Sequence, residues 1–560
     1  MEQFQLSNLD IGIMIAYGVL IIAYGLYHSK RGSSEEYFLA GRDMTWPIVG
    51  IALFAANISS STLVGLASEG FSTNVHVYNY EWFAVVVLIF FSIFFLPFYL
   101  RSKVYTMPEF LERRYDSRSR YYFSFITIIG NVVIDTAAAL YVGNLILKII
   151  FPELETWMII VILAFAAAAY TIPGGLNSVI QTEVIQAVLL IAGSCILTFF
   201  ALQEVGGWTA MMDGLDARNQ AGELALNSKE VFSLVRPSGD EFMPWTGLVF
   251  GVPILGFYFW ANNQFMVQRI LGAKDLNHGR WGALFAGLLK LPVIFIMIVP
   301  GVLAIMLYSD LDLTALNYRL ASGDLCTNLK DCPNMTYPVL LFNLLPPGLL
   351  GIVLAGLLAA MMSSVSATFN SASTLITMDF VQKWNPKMTS KQLVKTGQIS
   401  TLILVILASL WAPQIERFGS LFQYLQIVLS FICPPVVAVF ILGLFWKRAN
   451  SSGSITALLT GFAIAIFLLL SKALDISPYL NDIHFLHMTA YLTIICAAIH
   501  VVVSLMTPAP DHSQILEYTY SKKFFDEDTK SLEGLPWYQN FRILSVLLLL
   551  VTAVLIGYFW

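Results

Sequence analysis

The sequence predicts an all-α polytopic membrane protein, on three observations. Of its 560 residues 57% are hydrophobic and only 12% charged, with a mean hydropathy of +0.72, whereas a soluble domain carries about 25% charge. Runs such as AVVVLIFFSIFFLPFYL are continuously apolar, and a spanning helix needs about 20 such residues because lipid offers its backbone no hydrogen-bond partner. The alternating pattern of a membrane β-barrel, about ten residues per strand, is absent.

In chain order the apolar segments lie at 9–27, 47–70, 78–100, 121–150, 157–173, 180–203, 244–268, 281–308, 348–377, 396–413, 420–445, 454–472, 485–506 and 542–560, which predicts about 14 transmembrane helices. The first lacks the basic leader and small-residue cleavage site of a signal peptide and reads as an extra N-terminal helix. An even number of crossings puts both termini on one side. Lys and Arg stay cytoplasmic. With the N-terminus outside, the inner connections at 28–45, 101–120, 269–280, 379–395, 446–450 and 507–542 hold 22 of the 31 basic residues, including the cluster RSKVYTMPEFLERRYDSRSR. The expectation is a multi-pass protein of the plasma (inner) membrane with both termini extracellular or periplasmic. A net charge of −5 offers nothing to attract nucleic acid, and no loop is long enough to add a second domain.

Cys195, Cys433 and Cys496 fall in apolar spans and read as packing residues. Cys326 and Cys332 share an outer loop where a disulfide survives, and their six-residue spacing leaves bridged and free forms open. Asn334-Met335-Thr336 is a glycosylation sequon if the source glycosylates.

Polar groups inside a bilayer are costly unless partnered, so each is a functional hypothesis by default. The stretch AMMSSVSATFNSAST, residues 360–374, carries seven hydroxyls within an apolar span. Thr368, Ser371, Ser373 and Thr374 are accounted for by close helix packing and by bonds to their own i−4 carbonyls. Ser363 and Ser364 pair with a second unusual stretch, ALFAANISSSTLVGLASEGF at 52–71, where Asn57, Ser59, Ser60, Ser61 and Thr62 interrupt an apolar span. A helix broken there releases carbonyl oxygens, which with neighbouring hydroxyls suit a hard monovalent cation such as sodium.

Ionisable residues in the spans sharpen this. Glu81 opens the third span, Lys290 lies about 13 Å into its helix at 1.5 Å per residue, and Gln426 sits in LFQYLQIVLS. Each has a plain alternative, respectively an interfacial carboxylate, a snorkelling ammonium and an interhelical amide. Together they supply the donors and acceptors that a polyhydroxylated solute requires, with Trp82 and Trp260 available for stacking. Asp135 and Glu183 are also within spans. No His, Cys or carboxylate set recurs at metal-ligand spacing and no nucleophile and base lie on a recognisable motif, so an enzyme is not expected.

These stretches, with EEYFLAGRDMTWPIVGIALFAANIS, TIPGGLNSVIQTEVIQ, NNQFMVQRILGAKD and GLFWKRAN, resemble the sodium/solute symporter family, and within it the sodium/sugar cotransporters. The resemblance implies a five-plus-five inverted-repeat (LeuT-like) transporter core, with one repeat at 47–203, the other at 244–445 and C-terminal flanking helices at 454–560. It implies a sodium site formed by the carbonyls of Ala55, Ile58 and Ala360 and the hydroxyls of Ser363 and Ser364. Relatives that couple a second sodium have a further hydroxyl where Ala367 stands, so one sodium per cycle is implied. Sugar would meet Thr62, Glu81, Ala84, Gly256, Lys290 and Gln426, flanked by Tyr80, Phe259 and Trp260, and Glu183 would lie on the sodium exit path. Sugar-transporting relatives tend to have Gln or His where Thr62 stands, Ser for Ala84, Asn for Gly256 and Tyr for Phe259, which implies a roomier and less polar pocket. The implied activity is sodium-driven uptake of a sugar or sugar-like polyol. Alternatives are symport of an organic anion such as sialic acid and, further off, a solute sensor that moves nothing.

Overall fold

The computed structural model describes residues 6–29, 33–151, 153–316, 318, 325–412, 421–474, 476–511 and 516–560. Among these there are helices, loops and two isolated bridges, and no strands. The main helices are α1 (Asn8–Tyr27), α2 (Trp46–Asn57), α3 (Ser60–Ser72), α4 (Asn79–Phe94), α5 (Ser117–Gly130), α6 (Ala137–Ile150), α7 (Thr156–Val205), α8 (Trp245–Phe250), α9 (Val252–Phe257) and α10 (Gln264–Leu271). They continue with α11 (Leu276–Lys290), α12 (Val299–Tyr308), α13 (Leu349–Leu375), α14 (Ser390–Trp411), α15 (Leu421–Phe445), α16 (Ser451–Ala473), α17 (Phe485–Met506) and α18 (Phe541–Tyr558).

Among the described residues ten continuous helices are long and apolar enough to cross a membrane, and two further crossings are bent pairs: α2 with α3 at 59°, and α11 with Ile294–Tyr308, which contains α12, at 43°. The 50 residues of α7 would reach about 75 Å at 1.5 Å per residue, more than twice the hydrocarbon thickness. Pro173 and Gly175 divide it. Gly175 has φ +60°, a conformation glycine adopts freely, and a Cβ there would run into the carbonyl and ring of Tyr37. The stretch from α8 to α10 is likewise one crossing in pieces, interrupted by a π-helical turn at Tyr258–Asn262. Dividing α7 and including this stretch gives the fourteen crossings that hydropathy indicates.

The first bent pair breaks where the sequence turns polar. Asn57 ends α2, Ile58 leaves the helical region with ψ 82°, and Ser59 caps α3 by accepting from the Thr62 amide. The second bends just after Lys290. The second halves of the two pairs, α3 and Ile294–Tyr308 with α12, meet backbone to backbone: a Cβ at Gly70 would overlap the carbonyl oxygen of Ile298, and one at Gly301 that of Ala67.

Three smaller expectations meet the structure here. Cys326 and Cys332 are bridged, with Cα atoms 5.9 Å apart. In the sequon Met335 and Thr336 are buried and Asn334 is half-buried with its side-chain oxygen enclosed. Cys433 and Cys496 are buried as expected, but Cys195 is exposed on the outer face of its helix and is not a packing residue.

Candidate functional site

The helix breaks converge on a cavity of about 130 Å³. Eight of the nine residues assigned to substrate line it: Thr62, Tyr80, Glu81, Gly256, Phe259, Trp260, Lys290 and Gln426. Ala84, one turn beyond Glu81, is 1% exposed and is not part of the wall. Trp82 is not a stacking ring either, because its indole N–H donates to Asn79 Oδ1 at 2.7 Å, away from the cavity.

Glu81 at the start of α4 and Lys290 at the end of α11 form a buried ion pair. The Lys290 ammonium also lies 5.7 Å from the Trp260 ring and 6.0 Å from that of Phe54, a cation–π environment. Among the described residues the second Glu81 oxygen has no further hydrogen-bond partner. Spare acceptor capacity in a cavity is what a hydroxylated ligand uses.

Tyr80 and Phe422 meet edge to face with ring centroids 5.6 Å apart. Both border the cavity and also a vestibule of about 690 Å³ on the side of residues 238–244 and 480–488, so the two rings stand as a partition. On the other side Phe259 packs against Trp260 and Phe265, with centroids at 5.4 and 5.7 Å. Beyond that aromatic floor the bundle is tied shut. Arg269 of α10 pairs with Glu183 of α7, both fully buried. Gln268 donates to Phe38 O at 2.6 Å and to Thr374 Oγ1 at 3.0 Å, and Gln264 accepts from the Met107 amide at 2.7 Å.

The candidate ion site lies beside the cavity. At the break, the Ser59 amide donates to Asn57 O at 3.0 Å, and the Thr62 amide to Ser59 Oγ at 3.0 Å. The carbonyls of Ala55 and Ile58 thereby lose their i+4 helical donors. Across from them on α13, Ser364 donates to Ala360 O at 3.0 Å and lines the cavity. Ser363 Oγ is enclosed without a hydrogen-bond partner among the described residues. Two freed carbonyls and an orphaned hydroxyl fit an uncharged oxygen cage for a monovalent cation.

The remaining hydroxyls of α13 divide. Thr368 and Thr374 bond their i−4 carbonyls at 3.0 and 2.7 Å as expected, but Thr368 also lines the cavity. Ser371 instead accepts from Asn131 at 2.8 Å, and Ser373 Oγ has no partner among the described residues. The sequence does not single out Phe422, and Thr368 reads there as packing alone, yet both line the cavity. Both were within reach of a helical argument, since each lies four residues, one turn, from a residue already chosen: Gln426 and Ser364.

Comparison with known proteins gives a family. The model of the "sodium:solute symporter family" matches residues 37–461. Sodium/glucose cotransporter 4 of Danio rerio is 32% identical over 560 residues, covering 96% of this chain and 84% of that protein. The sodium/mannose cotransporter of Bos taurus is 34% identical, covering 92% and 89%, and the sodium/myo-inositol cotransporter of Homo sapiens is 33% identical, covering 92% and 76%. A solved structure of a Na+-coupled sialic acid symporter, in a substrate-bound outward-open state, superposes with a TM-score of 0.73 at 20% identity, covering 90% of this chain and 99% of that one. That likeness gives the fold, a five-plus-five inverted-repeat transporter core. The match over residues 37–461 and the near end-to-end relatives together place this chain in the sodium:solute symporter family.

Proposed function

We propose that the protein is a secondary active symporter in which inward sodium flow drives uptake of a sugar or sugar-like polyol, one sodium per substrate. The observation that carries this reading is the cavity at the helix breaks, where the Glu81–Lys290 pair, Gln426 and Trp260 share one wall system with Ser364 of the ion site. The relatives, cotransporters of sodium with glucose, mannose or myo-inositol, support the same class. The chain acts as a transporter and not as an enzyme.

The two interrupted crossings, α2/α3 and α8–α10, open the repeats at 47–203 and 244–445, the arrangement by which inverted-repeat transporters place their ligands at mid-membrane. Sodium joins the α2/α3 break, through Ala55 and Ile58, to Ala360, Ser363 and Ser364 on α13. Substrate then settles between Glu81, Lys290, Gln426, Thr62 and Trp260, and Tyr80 with Phe422 closes above it. Release requires the floor at Phe259 and the Arg269–Glu183 pair to part. When they do, Glu183 becomes a free carboxylate on the path sodium takes inward. Both termini face outward, across the plasma or inner membrane.

At 100 mV each charge carries about 2.3 kcal/mol, and a tenfold sodium gradient adds about 1.4 kcal/mol. One sodium therefore concentrates a neutral solute several-hundredfold. A carboxylated substrate fits less well, since no Arg lines the cavity among the described residues and Glu81 would repel it. The test is uptake of labelled hexoses and inositols into proteoliposomes with sodium outside. Uptake that persists when choline replaces sodium would remove the reading, and binding without counterflow would make the protein a sensor.

A further inference from the structure

The cavity contains one charged side chain that the mechanism above does not use. Asp135 lies in a π-helical turn, Asn131–Thr136, between α5 and α6, and it lines the cavity with Glu81, Lys290 and Gln426. The charge of Glu81 is matched by Lys290. No hydrogen bond or ion pair reaches the Asp135 carboxylate from any described residue.

The neighbours of Asp135 are anchored where it is not. Thr136 Oγ1 bonds Asn131 O at 2.7 Å and Thr368 Oγ1 at 2.6 Å, and Asn131 donates to Ser371 at 2.8 Å. Thr368 in turn donates to the carbonyl of Ser364 at 3.0 Å. The π turn is thus fastened to α13 at both of its ends, one and two turns from Ser364, while its one carboxylate is left facing the cavity. An inserted residue re-aims side chains, and such turns occur often at functional sites.

We infer that Asp135 is a substrate-binding and specificity-determining residue, whose carboxylate accepts a hydrogen bond from a hydroxyl or an ammonium group of the sugar on the side away from Glu81. This rests on the symport reading above. The substrate then bridges Glu81 and Lys290 on α4 and α11 to a turn fixed on the helix that carries Ser363 and Ser364. The cavity holds two carboxylates and one ammonium, so it favours neutral or amino-substituted polyols and rejects acidic sugars.

The test uses the full chain in proteoliposomes, with labelled uptake and competition by hexoses, inositols, hexosamines, deoxyhexoses and a hexuronic acid. In Asp135→Asn the half-saturation for sugar is expected to rise about tenfold or more, the loss of one charge-assisted hydrogen bond. Half-saturation for sodium without sugar should stay put. In the wild type one deoxy analogue should compete far more weakly than its parent, and Asp135→Asn should erase most of that difference, which a packing role would not do. A hexosamine that competes better than its hexose identifies an ammonium as the donor, and equal competition identifies a hydroxyl. Should Asp135→Asn fail to reach the membrane, Asp135→Glu decides: a tenfold rise for sugar alone supports the assignment. Unchanged sugar half-saturation in either variant, or strong competition by the uronic acid, overturns it while symport stands. No sodium-dependent uptake of any sugar by the wild type overturns the symport reading and this assignment with it.

Discussion

Two buried ion pairs in this protein look alike in isolation and differ in what surrounds them. Arg120 and Asp379 are 4% and 0% exposed, and their neighbours leave little bonding capacity idle. Asp379 accepts from Arg120 Nη2 at 2.6 Å, from Thr106 at 2.7 Å and from Ser124, and Arg120 also reaches Glu112 and the carbonyl of Met378. Glu81 and Lys290 are equally buried, yet their pair borders a cavity and has no such second layer among the described residues. A saturated pair is architecture, whereas a pair with idle acceptors is a place for something else to bind. Burial alone does not distinguish them.

The largest expected effect is on the saturated pair. Asp379→Ala takes from Arg120 the more buried of its two carboxylate partners, leaving Glu112 alone, and strands the Thr106 and Ser124 donors; breaking a buried pair costs about 3–5 kcal/mol, and the variant should show the greatest fall in heat stability or no folded protein in the membrane. Were Asp379→Ala as stable as the wild type, the contrast would collapse. Glu81→Gln keeps the volume and exchanges an acceptor for a donor. Half-saturation for sugar should rise by one to two orders of magnitude, as for a charge-assisted hydrogen bond of about 1.5–3 kcal/mol, with sodium affinity and stability nearly unchanged. An unaltered sugar half-saturation would make that pair architecture too.

The same contrast runs along α13. Ser364→Ala, or Ser363→Ala, should raise the sodium half-saturation several-fold, because each removes a hydroxyl from the cage proposed above. Ser371→Ala should leave it alone and lose only the bond from Asn131, about 1 kcal/mol of stability. Similar sodium titrations for the three would remove α13 from the ion site. At the bottom of the scale stands the exposed pair of Lys523 and Glu527, 3.9 Å apart in solvent. Lys523→Gln should change neither melting temperature nor transport.

How much of this was legible in the sequence depends on the distance over which each feature is specified. The crossings are written locally, because lipid demands about 20 apolar residues in a row. So is the break after α2, where five polar residues from Asn57 to Thr62 interrupt such a run. The break within α7 is announced by Pro173, Gly174 and Gly175. Pairings are not local. Glu81 finds Lys290 209 positions away and Glu183 finds Arg269 86 away, and nothing in either neighbourhood names the partner. Trp82 was misplaced because one residue of helix turns a side chain by about 100° from its neighbour. Cys195 was misjudged for a different reason: lipid is as apolar as a protein core, so hydropathy cannot tell an outward face from an inward one.

The bare contact between α3 and α12 has a mechanical consequence. Gly70 and Gly301 let main chain press on main chain, and beside Gly70 the one nearby side-chain atom is the branched Cγ2 of Ile298, which has little freedom to take up slack. A joint with so little give passes a displacement on, so whatever turns α3 beyond the break at Ile58 turns α12 beyond Lys290 with it. In an alternating-access cycle the two rods then swing as one piece.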